Sequence, residues 1–311
     1  MSSDESIEAM EDVSPRTAID TAYFERLSVH LRARHPNELH WVNTLLEEAL
    51  FGIDVIGDRL KEISAQGQGA TVLEVGAGAF ILSTWLAQLG YKVTALEPLG
   101  VGFGSLSRIQ NSVLEFAEAE GGSFTISRDF VEEHKPNSKY DFAFAINVFE
   151  HIERLNEAFA AVTGLLSDSG ALRIACPNYH FPYESHYSIP IIVNGSLTRK
   201  LFGNHIDRFD EENDCNGLWD SINFINSSRV VRLARSHGLQ VKFDKEVVVR
   251  MFDRFKDETK ISQRHGAIAL PARMLRLTNL HQIVRHMPVA MHPYMVFDLA
   301  VLDGHAAEAG A

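Results

Sequence analysis

The spacing of the hydrophobic residues changes near residue 69. Before that point, apolar positions recur at steps of three and four residues from about Thr17 to Ser64, and Pro36 divides this stretch into two segments. The recurring positions include Leu45, Leu46, Leu50, Ile53 and Ile56. This period predicts a helical N-terminal extension over residues 16–68. Residues 1–15 are acidic and polar, which predicts a disordered tail.

After residue 69, short runs of β type alternate with helical segments. We predict strands over residues 70–75, 91–96, 123–127, 140–146 and 170–176, with helices over 80–89, 107–119 and 153–166. This alternation predicts an α/β fold with a doubly wound, mostly parallel sheet. Ligands of such sheets bind beyond the carboxyl ends of the strands. The residues that follow each strand are therefore the first candidates for a functional site.

The C-terminal part supplies the rest of the sheet. A helix is predicted over residues 227–237, and strands are predicted over 239–243 and 294–302, so that the α/β domain spans residues 69–305. Two stretches, 178–226 and about 250–292, do not follow the alternation. Insertions after strand ends cover the site face of such a sheet, so we expect these two stretches to form a cap.

The second of these stretches is basic. Between Glu258 and Asp298 the sequence has no acid, but it has Lys260, Arg264, Arg273, Arg276 and Arg285. Apolar residues spaced along one stripe predict an amphipathic helix over 271–287, which we expect to pack as a cap helix with a solvated basic face. The alternative is a surface over 260–287 that contacts a membrane or a lipid-linked molecule.

Composition and charge narrow the class of protein. The chain has 311 residues, of which 45% are hydrophobic, so it can bury a large core. The net charge of −12 disfavours a nucleic-acid partner, because its field repels phosphates. Cys176 and Cys215 are the only cysteines, and no apolar run approaches the roughly 20 residues of a membrane span. These features favour a cytoplasmic protein without a disulfide framework, and they leave the oligomeric state undetermined.

The first predicted strand ends in the sequence LEVGAGAF, residues 73–80. Glycines in such a turn let the backbone bend sharply and approach a ligand closely. The dinucleotide fingerprint would require Gly or Ala at position 81, which is Ile81, and this disfavours a nicotinamide oxidoreductase. Glu74 precedes the first glycine by two residues. A carboxylate there suits a cation better than a phosphate.

Acids also follow the next strands. Glu97 and Pro98 end the second strand, where an acid can accept both hydroxyls of a ribose. Asp129 and Phe130 end the third strand, and the sequence NVFEHI, residues 147–152, follows the fourth. Acids after successive strands suit a nucleoside that carries positive charge.

Taken in order, LEVGAGAF, ALEP, SRDF and NVFEHI resemble the class I S-adenosylmethionine-dependent methyltransferases, within a broad bacterial group that includes the ubiquinone-biosynthesis O-methyltransferases. The resemblance covers residues 70–180 well and implies a seven-stranded sheet of order 3-2-1-4-5-7-6. It also implies S-adenosylmethionine as the cofactor. Its expected contacts are the methionine part at Glu74, Gly76, Ala77 and Gly78, the ribose at Glu97 and Pro98, the adenine at Asp129 and Phe130, and the sulfonium at Asn147 and Val148.

Two positions depart from the family pattern. Phe80 stands where the glycine-rich turn often has a third glycine, and its side chain would have to point into the helix–sheet interface. The similar quinone enzymes have an acid three residues before the Glu-His pair and can bind a divalent cation. That position is Asn147 here, a poorer ligand, so we expect no metal and metal-independent chemistry.

Methyl transfer requires alignment of donor and acceptor, and a base if the acceptor is a hydroxyl. Candidate bases are His151, Glu184 and His186. For His151 the alternative is a backbone hydrogen bond at a helix start, and for the other two it is simple solvation. The loop PNYHFPYESHYSIP, residues 177–190, also offers an acceptor wall made of Tyr179, His180, Tyr183 and Tyr187. These rings could equally anchor the loop onto the cap.

The sequence therefore favours a methyltransferase that acts on a hydroxyl of a small molecule or a glycan. N-methylation of a small-molecule amine is the nearest alternative, since it needs the same cofactor site and less base chemistry. A non-catalytic nucleoside-binding sensor is the alternative from another class.

Overall fold

The computed structural model describes residues 15–65, 69–98, 104–254 and 280–301. The predicted disordered tail lies outside these residues except for Pro15, where the first helix begins. Two helices precede the sheet, α1 (Pro15–Arg34) and α2 (Leu39–Ser64), and the break between them contains Pro36, as expected. Leu27, Leu31 and Val55 of these helices are fully buried. The N-terminal helices therefore contribute to the core.

The strands are β1 (Thr71–Val75), β2 (Lys92–Leu96), β3 (Thr125–Ser127), β4 (Tyr140–Ile146), β5 (Leu166–Pro177), β6 (Tyr183–Glu184), β7 (Ile189–Pro190), β8 (Leu239–Phe243) and β9 (Tyr294–Val301). Seven of them form one sheet of order β3-β2-β1-β4-β5-β9-β8, and β6 pairs with β7 in a separate hairpin. Among the described strands of the large sheet, β9 alone runs antiparallel, against both β5 and β8. Numbered by themselves, the seven strands have the order 3-2-1-4-5-7-6, which confirms the prediction.

Helices cover both faces of the sheet. They are α3 (Ile81–Gln88), α4 (Gly104–Ala119), α5 (Leu155–Gly164), α6 (Gly195–Asn213), α7 (Leu218–Ser221), α8 (Ser227–Ser236) and α9 (Glu246–Arg254), with 3₁₀ turns at Phe149–His151, Leu280–His286 and Val289–Met291. Successive side chains of a strand point to opposite faces. In β4, Phe142 and Phe144 pack with the core formed by α1 to α4, while Ala143 and Ala145 pack with the core under α5 and α8.

Most predicted bounds differ slightly from those in the structure, and the largest difference among the strands lies at the start of β5. The helix predicted to reach residue 166 ends at Gly164, and β5 begins at Leu166 instead of residue 170. Leu166 pairs with Tyr140, and the register then shifts before Phe142. The backbone of β5 is tightly packed at Gly170, where this register shift occurs, since a Cβ there would lie 2.7 Å from the Tyr140 carbonyl oxygen. Pairing with a neighbouring strand thus overrides the local helical pattern.

The structure describes all of the first insertion but only part of the second. The stretch 178–226 contains the β6–β7 hairpin, α6 and α7, and it has a small core of its own, which comprises Tyr187, Ile189, Ile206, Trp219 and Ile222. Of the predicted amphipathic helix 271–287, residues 271–279 lie outside the described part, and the remainder is a 3₁₀ helix, Leu280–His286. Most of the predicted membrane-facing surface, 260–287, also lies outside it. Among the described helices, none is both long and apolar enough to span a bilayer.

A buried ion network ties the N-terminal extension to the sheet. Arg173 of β5 donates two hydrogen bonds to Asp298 of β9, of 2.8 and 2.9 Å. Arg59 of α2 donates to the same carboxylate at 2.9 Å. Arg173 also donates to the Val55 carbonyl at 2.8 Å. Because the Asp298 charge is shared between two guanidinium groups, α2, β5 and β9 are held in one arrangement.

Candidate active site

The turn after β1 forms the first wall of the site. Glu74 is buried in β1, and its carboxylate accepts a hydrogen bond from the Ser83 hydroxyl. Burial raises the pKa of Glu74 to about 8. The backbone N–H groups of Gly76 and Ala77 both donate to the Leu96 carbonyl, at 2.8 and 2.9 Å. The turn is therefore fixed against the end of β2.

The two glycines of this turn have different surroundings. Gly76 is closely packed, whereas open space lies beside Gly78. Gly76 has φ of +70°, and a Cβ there would lie only 2.3 Å from Val148 Cγ2. Gly78 has φ of +50°, but a Cβ there would meet nothing within 4 Å. The space beside Gly78 is a cradle into which a ligand can approach the backbone.

Glu97 reaches from the end of β2 to this turn. Its carboxylate accepts the Gly78 N–H at 2.6 Å, and its carbonyl oxygen accepts from Arg128 at 3.1 Å. Burial raises the pKa of Glu97 to about 7, although the Gly78 hydrogen bond and the Arg128 charge act in the opposite direction. Pro98 is half-buried at the end of the described stretch.

The end of β3 presents an acid and an exposed ring. Asp129 accepts a 2.7 Å hydrogen bond from the Ser127 hydroxyl, and that bond, together with His134, lowers its pKa. The Phe130 side chain is 54% exposed. An aromatic face available to solvent beside β3 fits a flat, stacked ligand group.

Asn147 directly follows β4 and has φ of +55°. Its backbone N–H donates to Ala175, at 2.9 Å. Its side-chain oxygen accepts a hydrogen bond from the Tyr294 hydroxyl of β9, at 2.6 Å. Val148 follows and packs against Gly76. The strand ends of β1 and β4 are thus in direct contact at the predicted sulfonium position.

Phe80, which stands where the family often has a third glycine, has the side-chain orientation that the sequence analysis expected. It has φ of +63°, is fully buried and packs its ring 5.9 Å from that of Phe124. The side chain points into the helix–sheet interface, so the turn accommodates the missing third glycine. Arg128 lies 5.4 Å above the Phe80 ring, so a cation–π contact joins the residue before α3 to the residue after β3.

Beyond β4, Glu184 and His186 of the first insertion form a hydrogen-bonded pair. His186 Nδ1 lies 2.6 Å from Glu184 Oε1. Glu184 is fully buried and also accepts the Tyr187 N–H at 2.8 Å and the Tyr179 hydroxyl at 3.2 Å. Burial alone would lower the pKa of His186, but its bond to Glu184 and the surrounding carboxylates raise it. Burial alone would raise the pKa of Glu184, and His186 together with backbone donors lowers it.

His151 lies beside this pair, in the 3₁₀ turn after β4. Its ring is 5.2 Å from that of His186, and its Nδ1 is 2.8 Å from the Ser221 hydroxyl. Ser221 donates its proton to the Leu218 carbonyl at 2.7 Å, so its oxygen accepts from His151 Nδ1. Neutral His151 therefore has its lone pair on Nε2. Burial lowers the pKa of His151 to about 3, and the charge of His186 acts in the same direction.

Glu150 is the residue of this cluster that sequence reasoning missed. Its side chain is fully buried, and neither carboxylate oxygen accepts a hydrogen bond from another described residue. Burial raises the pKa of Glu150 to about 7, the charge of His186 acts in the opposite direction, and the charges of Glu184 and Glu48 add to the rise. Asn223 positions the turn, since its amide donates to the carbonyls of Phe149 and Ile152. The sequence feature that could have identified Glu150 as a site residue is its position directly before His151.

The predicted aromatic wall divides into packed and partly accessible residues. Tyr187 is 1% exposed, donates to Asp210 at 2.6 Å and packs on Phe209 and Trp219, so it holds the insertion together and does not line an open site. Tyr179 packs against Phe224. His180 Nδ1 contacts the Ser227 hydroxyl at 3.0 Å, and Tyr183 is half-buried in β6. Tyr187 therefore anchors the loop onto the cap, which was the alternative to a substrate-binding role. The substrate-binding roles of Tyr179, His180 and Tyr183 stay predictions.

Comparisons with known proteins decide the family. A family model described as a methyltransferase domain matches residues 41–242. The chain belongs to this methyltransferase family. The methyltransferase is 31% identical over 275 residues to an uncharacterized protein of Mycobacterium tuberculosis (strain ATCC 25618 / H37Rv), covering 88% of this chain and 92% of that relative.

Two further matches are more distant. The methyltransferase is 24% identical over 224 residues to the ubiquinone biosynthesis O-methyltransferase of Rickettsia canadensis (strain McKiel), covering 72% of this chain and 81% of that one. A solved structure of phosphoethanolamine N-methyltransferase 2 from Haemonchus contortus, in complex with S-adenosylhomocysteine, superposes with a TM-score of 0.44 at 12% identity. That match covers 76% of this chain and 49% of the other, so the methyltransferase spans about half the length of that solved chain.

The family and the sheet order together make the protein a class I S-adenosylmethionine-dependent methyltransferase, as the sequence motifs implied. A nicotinamide oxidoreductase is thereby set aside. The residues present fit the cofactor, because acids lie at the ends of β1, β2 and β3 around the cradle at Gly78 and the exposed face of Phe130. The individual contacts of these residues to the cofactor stay predictions.

Proposed function

We propose that this methyltransferase O-methylates a hydroxyl group of a small molecule or glycan, with His186 as the general base. The observation that carries the proposal is the 2.6 Å hydrogen bond between Glu184 and His186 Nδ1. A carboxylate on Nδ1 directs the lone pair of neutral His186 to Nε2, as in the orienting pairs of hydrolases. A base oriented in this way is needed for a hydroxyl and not for a free amine.

Glu184, which sequence reasoning offered as a base, has a different role in this proposal. Its oxygens already accept from His186, from the Tyr187 N–H and from the Tyr179 hydroxyl. A fully buried carboxylate with three donors does not reach an acceptor. Glu184 therefore positions His186 and stabilises the imidazolium that forms when the acceptor proton arrives.

His151 has a positioning role beside the base. Because its Nδ1 donates to Ser221, its Nε2 is an acceptor on the side of the cluster that faces Glu150. The ring of His151 lies 5.2 Å from that of His186 and helps to fix it, so that a substrate hydroxyl donates its single proton to His186 Nε2 before methyl transfer. Bound S-adenosylmethionine supplies a methyl group already activated by the sulfonium. The residues that we propose to bind it are Glu74, Gly76, Ala77, Gly78, Glu97, Pro98, Asp129, Phe130, Asn147 and Val148.

The insertion limits the size of the acceptor. The insertion is closed on itself by the Tyr179 N–H, which donates to the Ile225 carbonyl, and it is tied to the turn after β4 by the Asn223 N–H, which donates to the Glu150 carbonyl. The base thus lies under a folded cap. This supports a small acceptor, or one terminal group of a larger molecule.

The experiment is a matched acceptor panel. Release of S-adenosylhomocysteine is measured with hydroxyl acceptors, with the same molecules carrying a methyl ether at the reacting oxygen, and with the corresponding amines. We expect turnover with the hydroxyl acceptors and no turnover with the corresponding ethers. We also expect His186→Gln to turn over the hydroxyl acceptors more slowly. Turnover confined to amines and unaffected by His186→Gln would contradict it and would favour N-methylation.

A further inference from the structure

Glu150 and His151 lie beside His186, the proposed base, and each of the three side chains offers an atom that can ligate a metal. One ligand atom each from Glu150, His151 and His186 lies within 4.8 Å of the others. Glu150 Oε1 is 4.0 Å from His151 Nε2. The carboxylate of Glu150 is fully buried and accepts no hydrogen bond from another described residue. A buried carboxylate without partners is costly, and a bound ion is one of the few groups that repays that cost.

The two histidines are prepared as ligands by their other ring nitrogens. Glu184 holds Nδ1 of His186, and the Ser221 hydroxyl holds Nδ1 of His151. Both Nε2 atoms therefore carry the lone pair in the neutral ring. Protein metal sites show the same arrangement, in which the distal nitrogen of each ligating histidine is fixed by a carboxylate or another acceptor.

We infer that Glu150, His151 and His186 bind a divalent transition-metal ion. Two imidazole nitrogens and one carboxylate oxygen are a ligand set typical of zinc sites that keep a position open. Imidazole suits zinc and its neighbours, whereas magnesium and calcium prefer oxygen ligands alone. The negative charge of Glu184 and Glu48 near the cluster adds to its attraction for a cation.

This site shares the Glu-His pair, here Glu150 and His151, with the cation site of the similar quinone enzymes and differs from that site in its third ligand. The expectation of metal-independent chemistry rested on Asn147, whose side-chain oxygen accepts the Tyr294 hydroxyl. The inferred site does not use Asn147. It uses His186, which lies 35 residues after His151 in the chain and is brought to it by the β6–β7 hairpin.

On the proposed function, the ion would regulate methyl transfer. His186 Nε2 cannot accept the acceptor proton while it ligates a metal. The base route therefore requires the metal-free cluster, and a transition metal at this position suppresses turnover. This consequence rests on His186 being the base, whereas binding of the ion does not.

The test is calorimetric titration of ZnCl₂ into the untagged, EDTA-treated full chain, without S-adenosylmethionine or acceptor. We expect saturable binding of one ion per chain, at least tenfold weaker in Glu150→Gln and unchanged in the control Glu157→Gln, which alters an exposed acid of α5. No saturable binding, or equal binding by Glu150→Gln, would overturn the inference. The titration contains neither substrate, so its result does not depend on methyl transfer. A failed methylation assay would therefore contradict the proposed function and not the metal site.

Thermal denaturation shows whether the Glu150→Gln variant is folded. Glu150→Gln removes an unpartnered buried charge, so its metal-free Tm should equal or exceed that of the wild type. Zinc should raise the Tm of the wild type and leave that of Glu150→Gln unchanged. An equal rise in both proteins would contradict the site. Unchanged turnover of the wild type at saturating zinc would contradict the regulatory role.

Discussion

Gly78 donates its backbone N–H to the carboxylate of Glu97 over 2.6 Å. This bond joins the turn after β1 to the end of β2, at the edge of the sheet where ligands of this fold bind. The two residues lie 19 positions apart in the chain and face the same open space beside Gly78. This hydrogen bond therefore fixes the two strand ends that form the first wall of the site.

Replacement of Glu97 by Ala should weaken binding of S-adenosylmethionine. We propose that its carboxylate binds the ribose, and its loss also releases the Gly78 N–H. The expected effect is a Kd at least about tenfold higher, equivalent to about 1.4 kcal/mol. Isothermal titration measures it, with Glu157→Ala as the surface control. An unchanged Kd would mean that Glu97 does not face the cofactor.

Replacement of Gly76 by Ala should destabilise the fold. The new Cβ would lie 2.3 Å from Val148 Cγ2, at a residue whose φ is +70°. We expect a loss of about 2 kcal/mol or more in the free energy of unfolding, measured by urea denaturation. Gly78→Ala is the matched control, because its Cβ meets nothing within 4 Å and only the backbone cost of about 1 kcal/mol remains.

The double variant Gly76→Ala with Val148→Ala separates the two causes. Removal of the Val148 methyl groups relieves the clash but not the backbone strain. The double variant should therefore recover part of the stability lost in Gly76→Ala. A double variant that lost the sum of the two single effects would contradict contact between these residues.

Replacement of Asp298 by Ala should strongly destabilise the protein. Arg173 and Arg59 would lose their shared carboxylate, and Arg173 is buried at 6% exposure. Breaking a buried ion pair costs about 3–5 kcal/mol. The control Asp207→Ala removes a partner of Arg199 from an exposed pair and should cost less than about 1 kcal/mol. Similar losses in both variants, measured by denaturation, would exclude the buried network as a major source of stability.

The stability of the wild type should depend on pH through Glu74. Burial raises its pKa from 4.5 to about 8. A group whose pKa is raised by folding favours the folded state below its unfolded pKa, and this contribution is lost as pH rises through the folded pKa. The wild type should therefore lose stability relative to Glu74→Gln between about pH 5 and about pH 8.5, by about 1 kcal/mol or more. A constant difference between the two proteins would show that Glu74 titrates normally.

The sheet could be predicted from sequence because its signals are local. Runs of apolar residues separated by helical periods identified all seven strands, and β4 and β8 have the predicted bounds. The first acids of the site were also recognisable, since each follows a strand directly. The early start of β5 was missed because it depends on pairing of Leu166 with Tyr140.

The base cluster could not be predicted in the same way. Its geometry depends on how the insertion folds back on β4, through hydrogen bonds from Asn223 and through the ring contact between His151 and His186. Tyr187 looked like a wall residue in the sequence, but packing of α6 and α7 made it the centre of a small core. Glu150 escaped notice because burial without a partner is visible only in three dimensions.

The most direct test of the account is the single-turnover rate of methyl transfer by His186→Gln, with an acceptor that the wild type turns over. A general base contributes about 10²–10⁴ in rate, so we predict a fall of at least about 100-fold. The Kd of S-adenosylmethionine should stay within about threefold of the wild type, and His40→Gln, which alters an exposed histidine of α2, should leave both quantities unchanged. A His186→Gln rate equal to that of the wild type would contradict the assignment of His186 as the base.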